Sequence, residues 1–385
     1  MKKKVAWVSQ WPVHYHVPIY KELNKLENID FNVIFCDDIT LKGYFDSESQ
    51  SKVGWKKSIL LKGYKHIFLK NMMKNHNNDR NFFTLVNFSI IKHLLEKKYD
   101  VVIITGYMDI TFILAVIVSK IIRSKIIFKG ETTLRDKKDS FIKTYYLKFF
   151  FKYFDSMFYS CKGNLDFLNN FSSQQKKYYA PCVVDNNFYR ESFLNLKSNR
   201  SKIREKLGIN KYDIVLLSVG KLYKRKRPLD ILKAMKSLKG LNCCALLVGN
   251  GDQKNEIIEY SKKYNLKTIL PGHKPSDEVI NYFIAADIYL QLSDYDPSPK
   301  SLNEAMNFSL PLIVSKSIGT CDDLVFENKN GYKIDKGDIS KIAESIKKLE
   351  SADFRAKLGK ESGKIISNFS IENHVYRMNE AIKSL

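Results

Sequence analysis

The sequence predicts an α/β protein of two domains, each with a parallel sheet covered by helices on both faces. Short apolar segments alternate with helical stretches along the chain, which is the pattern of parallel strands joined by helical crossovers. A chain of 385 residues also exceeds what one hydrophobic core ordinarily organises. We therefore expect an N-terminal domain over residues 1–195, a C-terminal domain over 196–365 and a terminal helix over 366–385.

The predicted strands are short segments rich in β-branched and aromatic residues. In the N-terminal half they are Val5–Ser9, Phe31–Cys36, Val101–Thr105, Lys125–Lys129 and Ser156–Ser160. In the C-terminal half they are Ile214–Ser218, Cys243–Val248, Thr268–Leu270, Ile288–Leu292 and Leu312–Val314. Residues 39–80 break the alternation with Lys, Gly, Asn and aromatic residues, so we expect a long, irregular and basic insertion there.

The formal charge of +23 is unevenly distributed, since residues 51–152 hold 21 Lys and Arg against 7 Asp and Glu. Within this region, residues 140–159 mix lysines with many aromatic residues. Two interpretations stay open: a helix that lies against an anionic membrane face, or a buried helix whose lysines extend to water. No nucleic-acid-binding motif accompanies the charge, so we do not expect nucleic acid as a partner.

The cysteines and the N-terminus predict a cytoplasmic protein. None of the six cysteines has the spacing of a metal site, and the adjacent Cys243 and Cys244 lie in an apolar strand, as reduced core thiols do. The sequence Met1–Gln10 lacks the apolar region of a signal peptide. The longest apolar run, Ile110–Val118, is too short to cross a bilayer.

The segment Ser293–Ser315 carries the strongest functional pattern of the chain. Two carboxylates, Asp296 and Glu304, are separated by seven residues and enclose the start of a predicted helix. Ser298 is a predicted N-cap and Pro299 a predicted first helical residue. The unpaired N–H groups and the positive dipole end of such a helix form an anion site. The residues expected to contact the anion are Ser298, Pro299, Lys300, Ser301 and Leu302.

Three further segments follow predicted strands of the same domain. Gly220 and Lys221 open a basic loop that includes Lys226, and fixed cations of this kind stabilise a bound or developing negative charge. Gly249 begins a glycine turn, for which tight-turn geometry alone is the alternative explanation. His273 follows another glycine, and a plain surface histidine is the alternative there.

The order of these segments resembles that of family 4 glycosyltransferases, which are retaining enzymes of the two-domain GT-B fold. The matching residues are Glu304-Ala305-Met306, the Leu310-Pro311 pair and the internal Pro299. The sequence departs from the family pattern where Asp296 replaces a glutamate, and where Phe308 and Ser309 replace a small residue and a glycine. The resemblance implies two Rossmann-like domains whose sheets face a central cleft, with the last helix crossing back to the N-terminal domain.

The resemblance also implies a role for each candidate residue of the C-terminal domain. Lys221, Lys226 and the helix start would hold the diphosphate of the donor, and His273 would lie near the nucleotide base. Glu304 would bind the ribose hydroxyls and Asp296 the hydroxyls of the donor sugar. The donor would be a UDP- or GDP-linked sugar, with no metal and no further cofactor.

The acceptor implied is a hydroxyl group of a glycan or lipid-linked glycan in the synthesis of a surface polysaccharide. The protein would then be cytoplasmic, with a peripheral position on the inner face of the membrane as one alternative. The same fold also supports sugar-nucleotide epimerases and non-catalytic glycan-binding proteins, and both remain alternatives to a transferase.

In the N-terminal half the candidate residues lie where loops follow predicted strands, because ligands of parallel sheets gather there. Glu131 follows Lys125–Lys129 and is a candidate to orient the acceptor hydroxyl or to act as its base. The alternative is that Thr132 or Thr133 begins a helix at this point. His14 and His16 are candidates to contact the acceptor or the donor phosphates, with surface histidines as the alternative.

Overall fold

A computed structural model describes residues 2–46, 51–54, 56–73, 82–134 and 141–385 of the chain. These residues divide into two units. The first unit runs to Cys182 and also takes in Ile371–Leu385 from the end of the chain, and the second unit is Val183–Ser370. Each is an α/β unit built on a parallel sheet, so the predicted fold class is confirmed.

The first unit contains a sheet with the strand order β5-β2-β1-β6-β7-β8-β9 among the described residues, and all its pairs are parallel. A separate antiparallel hairpin holds β3 and β4. The strands are β1 Lys3–Ser9, β2 Ile29–Phe35, β3 Tyr44–Asp46, β4 Ser51–Val53, β5 His66–Phe68, β6 Val101–Ile104, β7 Lys125–Lys129, β8 Ser156–Tyr159 and β9 Lys176–Tyr179. The central strands are continuous apolar runs because helices cover both of their faces.

Helices connect these strands. They are α1 Val17–Lys25, α2 Ile39–Lys42, α3 Lys57–Leu60, α4 Ser89–Lys97, α5 Ile110–Ile121, α6 Phe141–Phe151 and α7 Lys162–Phe171. Helices α4 to α7 share one apolar cluster with alternate residues of the central strands, such as Val8, Ile104 and Phe128. These helices therefore lie on the same face of the sheet, as right-handed crossovers in one direction require.

The second unit contains a parallel sheet with the strand order β12-β11-β10-β13-β14-β15. Its strands are β10 Ile214–Val219, β11 Cys243–Val248, β12 Thr268–Ile269, β13 Ile288–Gln291, β14 Leu312–Ser315 and β15 Gly331–Ile334. The strand order reverses between β10 and β13. Ligands of open parallel sheets bind at the carboxyl ends of the strands beside such a reversal.

The helices of the second unit cover both faces of its sheet. They are α8 Asn186–Leu196, α9 Arg200–Lys206, α10 Pro228–Ser237, α11 Lys254–Lys263, α12 Ser276–Ala285, α13 Lys300–Asn307, α14 Cys321–Leu324, α15 Ile339–Lys348 and α16 Ala352–Ile366. Within the described residues, no helix of either unit is both long and apolar enough to cross a membrane.

The last helix, α17 Ile371–Lys383, belongs to the first unit, where it packs against α1 and β9. Lys3 Nζ donates to the Ile382 carbonyl at 2.9 Å, and the Asn28 side-chain amide donates to Asn379 Oδ1 at 2.8 Å. These contacts join the first two strands of the chain and their connecting helix to its final residues.

The first unit ends at Cys182 rather than at the expected residue 195. Helix α8 belongs to the second unit because its polar side chains bond there. Asn186 Nδ2 donates to the Ile366 carbonyl at 3.0 Å, and the Tyr189 hydroxyl donates to Glu304 Oε1 at 2.8 Å. The polar composition of residues 195–202 resembles a linker, but side-chain contacts decide where the unit begins.

The expected irregular insertion at 39–80 is partly wrong. Residues 47–50, 55 and 74–80 lie outside the described residues. The rest includes α2, α3, the hairpin β3–β4, and β5, which extends the main sheet by pairing with β2. The strands β5, β9 and β15 were not predicted. His66–Phe68 and Lys176–Tyr179 are half exposed and lack an apolar run, and Gly331–Ile334 is mostly buried but contains Gly331 and Lys333.

Candidate active site

The loops that follow β10, β11, β12 and β13 carry the residues predicted to bind the donor. Because these strands are parallel neighbours, their carboxyl ends meet at one edge of the second sheet. The sequence-predicted Gly220, Lys221 and Lys226 follow β10, and Gly249 follows β11. His273 follows β12, and Asp296 precedes α13 after β13. The structure therefore brings the predicted residues of this unit to the reversal point of its sheet.

Glycines set the spacing of the first two loops. A Cβ atom on Gly249 would lie 1.8 Å from the Gly220 carbonyl oxygen, and one on Gly251 would lie 2.4 Å from the Leu222 carbonyl oxygen. Gly249 also has a φ of +152°, a conformation that other residues rarely adopt. The glycine turn thus allows the loop after β11 to pack directly on the backbone of the basic loop. Gly220 itself faces open space.

The basic loop is held to the loop before α13 by a series of polar contacts. Lys226 Nζ forms an ion pair with Asp296 Oδ2, and both side chains are largely buried. Arg227 Nε pairs with Asp294 Oδ1 at 2.5 Å, and Arg225 donates to the Tyr295 carbonyl at 3.2 Å. The resemblance assigned Lys226 and Asp296 to different parts of the donor. In the structure these two side chains neutralise each other.

Lys221 is at the start of the basic loop, and its ammonium lies 5.3 Å from the centre of the Tyr223 ring. A cation at this distance from an aromatic face is attracted to the ring, which restrains the long side chain. Lys221 is half-buried, whereas its loop neighbour Lys224 is exposed. Lys221 is therefore the better placed of the two lysines to contact a ligand at the carboxyl edge.

The start of α13 differs from the sequence prediction by one residue. Pro299 is the N-cap and the first helical residue is Lys300, whereas the sequence predicted Ser298 as the cap and Pro299 as the first helical residue. Ser298 does not cap the helix, and its buried hydroxyl has no hydrogen-bond partner among the described residues. Instead, the Ser298 N–H donates to Asp296 Oδ1 at 3.2 Å, so the acidic side chain orders the turn that enters the helix.

In the first turn of α13, some side chains are buried in the core and others lie toward the carboxyl edge of the second sheet. The Ser301 hydroxyl lies 2.7 Å from the Tyr289 hydroxyl, which in turn donates to Gln291 Oε1 at 2.6 Å. Leu302 is fully buried, so only its backbone can contact an anion. Lys300 is half-buried. The anion site predicted here therefore depends on the backbone N–H groups and the dipole of α13.

Glu304 accepts a hydrogen bond from the Tyr189 hydroxyl at 2.8 Å. Burial raises the pKa of Glu304 to about 7, and the Tyr189 hydrogen bond and nearby Lys300 oppose part of this rise. Glu304 is thus divided between its acid and its carboxylate form at neutral pH. Sequence reasoning missed Tyr189, because nothing in the sequence of α8 indicates a contact with a residue 115 positions later.

His273 is exposed, and its loop lies beside the glycine turn after β11. A Cβ atom on Gly272 would lie 3.5 Å from Asn250 Oδ1. The structure places His273 at the same edge of the sheet as the other candidates, as predicted. Its proposed contact with the base remains a prediction.

In the first unit, Glu131 follows β7 and is half-buried, with Cys182 Sγ at 3.8 Å from its Oε1. The alternative that Thr132 or Thr133 begins a helix is wrong, because residues 131–134 are not helical and α6 begins at Phe141. Thr132 Oγ1 instead lies 3.4 Å from the Tyr107 hydroxyl.

His14 and His16 have different environments within one short 3₁₀ segment. His14 is exposed and follows β1 at the carboxyl edge of the first sheet. His16 is buried, packs against the rings of Trp7 and Tyr20, and lies 3.5 Å from the Tyr20 hydroxyl. Of the two candidates, only His14 is placed to meet a ligand from solvent.

Two buried carboxylates at the same edge were not singled out from the sequence as site residues. Asp37 follows β2, accepts from the Ile39 N–H at 2.8 Å and from the Asn71 amide at 2.9 Å. Asp109 follows β6, with the Gln10 amide at 3.4 Å. Their positions directly after apolar strands were an available signal. Among the residues that the structure describes, no group of three or more His, Cys, Asp or Glu is arranged to hold a metal ion.

Residues 199–365 match the protein family described as glycosyl transferases group 1. A similar protein from Escherichia coli is named UDP-Gal:alpha-D-GlcNAc-diphosphoundecaprenol alpha-1,3-galactosyltransferase. It is 23% identical over 378 residues, covering 93% of this chain and 90% of that protein. The amylovoran biosynthesis glycosyltransferase AmsD of Erwinia amylovora is 29% identical over 141 residues, covering 34% of this chain and 40% of that protein.

Two solved structures share the fold of this chain at low sequence identity. Anabaena HepE in complex with UDP superposes with a TM-score of 0.76 and 17% identity, covering 100% of both chains. WaaG, a glycosyltransferase involved in lipopolysaccharide biosynthesis, superposes with a TM-score of 0.67 and 14% identity, covering 98% of this chain and 99% of that one.

Proposed function

We propose that this chain is a group 1 glycosyltransferase of the GT-B fold, which transfers a sugar from a UDP-linked donor to a lipid-linked glycan with retention of configuration. The observation that carries the proposal is the ion pair of Lys226 with Asp296 at the carboxyl edge of the second sheet, beside its reversal point, with Lys221 in the same basic loop and Glu304 on the helix α13 that begins there. The names of the relatives, which include a UDP-galactose-dependent enzyme and a UDP complex, support the choice of nucleotide.

The donor diphosphate would bind where Lys226 now pairs with Asp296. On binding, Lys226 exchanges the Asp296 carboxylate for a phosphate oxygen, and Lys221 and the first-turn N–H groups of α13 contribute further positive potential. Asp296 is then free to accept hydrogen bonds from hydroxyl groups of the donor sugar. Lys226 keeps a counter-ion in this exchange, and hydrogen bonds from the sugar hydroxyls replace the ion pair that Asp296 loses.

Glu304 would bind the ribose hydroxyls in its carboxylate form. A carboxylate can accept two hydroxyl hydrogen bonds at once, and such charge-assisted bonds are stronger than neutral ones. The Tyr189 hydroxyl already donates a hydrogen bond to Glu304 Oε1 and so fixes the orientation of the carboxylate. Because the pKa of Glu304 is about 7 in this structure, binding of the ribose hydroxyls to its carboxylate draws Glu304 toward the ionised form.

In the transfer step, the bond between the anomeric carbon and the β-phosphate oxygen breaks and UDP leaves. The acceptor oxygen forms its bond to the same face of that carbon, and the acceptor proton passes to the departing diphosphate oxygen. The lysines and the helix dipole stabilise the negative charge that develops on the diphosphate. No nucleophile from the protein is required in this sequence of bond changes. Glu131 is our candidate for orienting the acceptor hydroxyl.

The surface of the first unit supports a membrane-bound acceptor. On α6, Phe141, Ile142, Tyr145 and Phe149 are 75%, 81%, 62% and 60% exposed, so the helix is not the buried helix of the alternative interpretation. Lys143, Lys148 and Lys152 lie among these side chains. Exposed aromatic residues interleaved with lysines match the chemistry of an anionic lipid surface. We therefore propose a peripheral position on such a membrane.

UDP is expected to raise the melting temperature of the protein, with or without EDTA, and GDP is expected to have a smaller effect. Ligand at about a hundred times its Kd stabilises a fold by about 2.7 kcal/mol, which a thermal-shift assay detects readily. Lys221→Gln should reduce the shift, whereas Lys224→Gln, in the same loop, should leave it unchanged. Equal shifts in both variants, or none with any nucleotide, would contradict the proposed donor site and favour a non-catalytic protein.

Phe141→Ser/Ile142→Ser is expected to weaken binding to vesicles of phosphatidylglycerol and phosphatidylcholine about ten-fold or more. Each side chain buries apolar area in the bilayer that is worth about 1.5–3 kcal/mol. Co-sedimentation measures the bound fraction. The matched control is Phe188→Ser/Leu194→Ser, which removes two exposed apolar residues of the second unit. A similar loss in both double variants would place the membrane contact elsewhere than α6.

A further inference from the structure

A cavity of about 740 Å³ lies within the second unit, at the edge of the sheet opposite the candidate donor site. Asp287 and Pro311, which line it, come directly before β13 and β14 and so mark the amino ends of these strands. The donor residues follow the carboxyl ends. The two sites therefore share a sheet but have no residue in common. A volume of this size suits a ligand of one or two sugar rings.

The wall of this cavity is strongly basic. Its described lining includes the cations Arg190, Arg200, Arg355, Lys360 and Lys364 and a single carboxylate, Asp287. Asp287 is already neutralised, because it pairs with Arg200 at 2.7 Å and with Arg204, and accepts from the Val215 N–H at 2.8 Å. An anion entering the cavity therefore meets positive potential that the protein does not cancel.

Some of these cations are bonded to other groups of the protein, and others are exposed to solvent without such bonds to a carboxylate among the described residues. Arg200 donates to the Ile284 and Ala286 carbonyls, and Arg355 donates to the Leu349 and Glu350 carbonyls. Lys364 pairs with Glu361 at 2.5 Å. These bonds occupy the end groups that would otherwise bind a ligand. Lys364 is exposed but paired, whereas Arg190 and Lys360 are exposed and form no salt bridge with the residues that the structure describes, so these two are the cations placed to bind a ligand.

Arg190 and Lys360 border the same part of the cavity. The Arg190 guanidinium lies 3.8 Å from the Cβ position of Gly363, and Lys360 is one turn earlier on the same face of α16. The guanidinium is also oriented by Ser309 Oγ at 3.3 Å and by the Phe193 ring at 5.5 Å.

The floor of the cavity is apolar. Phe308, Leu310 and Pro311 are buried, and Phe193 packs edge-on to Phe308. Asn187 and Ser367 add polar groups to the wall. An apolar floor with a few polar groups and a basic rim fits a ring that carries a carboxylate or phosphate, because the ring covers the floor and the anion reaches the cations.

We propose that this cavity is a second binding site, specific for an anionic saccharide held by Arg190 and Lys360. The site does not depend on the function proposed for the donor site. A uronic acid and a sugar phosphate share the required chemistry, and the experiment separates them. The site would let the enzyme hold an acidic glycan away from the reaction centre.

The test is saturation-transfer NMR of glucuronate, glucose 1-phosphate and glucose, with inorganic phosphate measured as a competitor because it has no carbon-bound protons, and with UDP present at saturation to occupy the donor site. We expect one or both of the anionic sugars to bind at least about ten-fold more tightly than glucose and inorganic phosphate, since each lacks one of the two contacts. Which anionic sugar binds more tightly identifies the source of the anion. Binding should weaken as NaCl is raised.

The double variant Arg190→Gln/Lys360→Gln should reduce this binding about ten-fold. The matched control, Lys197→Gln/Lys357→Gln, makes the same change in net charge at exposed residues next to α8 and on α16 that do not line the cavity. Equal loss in both variants, or inorganic phosphate binding as tightly as the anionic sugars, would overturn the proposal. UDP binding should be unchanged in both variants, so a failure of the second-site proposal is distinguishable from a failure of the proposed donor site.

Discussion

Replacing Glu304 by glutamine is expected to lower kcat/KM for sugar transfer about 100-fold and, at the same time, to stabilise the protein above pH 7. The loss of activity follows from the loss of the charged acceptor for the ribose hydroxyls, since hydrogen bonds to a charged group are worth about 1.5–3 kcal/mol each. Glutamine can still accept from Tyr189, so the local packing is retained. A variant with wild-type activity would exclude Glu304 from the donor site.

The gain in stability follows from the raised pKa of Glu304, which lies at about 7 in the folded protein against 4.5 as the reference value. As the pH rises from about 4.5 to 7, the unfolded chain releases a proton that the folded chain retains. Unfolding is therefore increasingly favoured over this interval and not further above it. Because Glu304 is partly accessible, we expect the full penalty to be about 2 kcal/mol.

Urea unfolding at pH 4.5 and at pH 8 measures this effect. The free energies of unfolding of wild type and Glu304→Gln should agree at pH 4.5 and differ by about 2 kcal/mol at pH 8, with the variant more stable. Glu259→Gln, at an exposed position on α11, is the control and should show no pH-dependent difference. A variant that is no more stable than wild type at pH 8 would show that the Glu304 carboxylate is well solvated or well paired.

The variant Gly249→Ala is expected to lose at least about 4 kcal/mol of stability and to lose UDP binding. Its new methyl group would lie 1.8 Å from the Gly220 carbonyl oxygen, a backbone atom that no side-chain rotation can move away. The φ of +152° adds strain for any residue with a Cβ atom. The loop after β11 would have to move off the basic loop, which displaces Lys221 and its neighbours.

Gly240→Ala is the matched control for this substitution. Gly240 also has a positive φ, of +79°, but a Cβ atom there meets no atom within 4 Å. This variant should lose only about 1 kcal/mol, the backbone cost alone, and should bind UDP normally. Chemical denaturation gives the stability of both variants, and the UDP thermal shift gives binding. Similar small losses in both would show that the two loops can separate at little cost.

The sequence predicted the second unit better than the first because the spacing of its motifs is local. Asp296, Glu304 and Pro299 lie within one loop and one helix, so their common location follows from the helical repeat. The glycine turn at Gly249 was assigned to tight-turn geometry or ligand binding, and the structure adds a third reason, which is contact with Gly220. That contact joins two loops and has no signature in either one.

What the sequence could not predict depends on contacts between distant segments. The pairing of Lys226 with Asp296 joins residues 70 positions apart, and the bond from Tyr189 to Glu304 joins residues 115 apart. The strands β5 and β9 are the two edge strands of the first sheet and are half exposed, so their side chains do not form an apolar run. Helix α13 begins one residue later than the sequence predicted, because Asp296, not Ser298, orders the turn that precedes it.

The position of α17 has a consequence for the order in which the chain folds during synthesis. The second unit is continuous over Val183–Ser370, so all of its strands and helices are available before the last residues have been added. The first unit is not, because His374 Nδ1 donates to the Pro181 carbonyl and Lys3 donates to that of Ile382. The first unit therefore cannot be completed until the whole of the second unit, which lies between its two segments, has been synthesised.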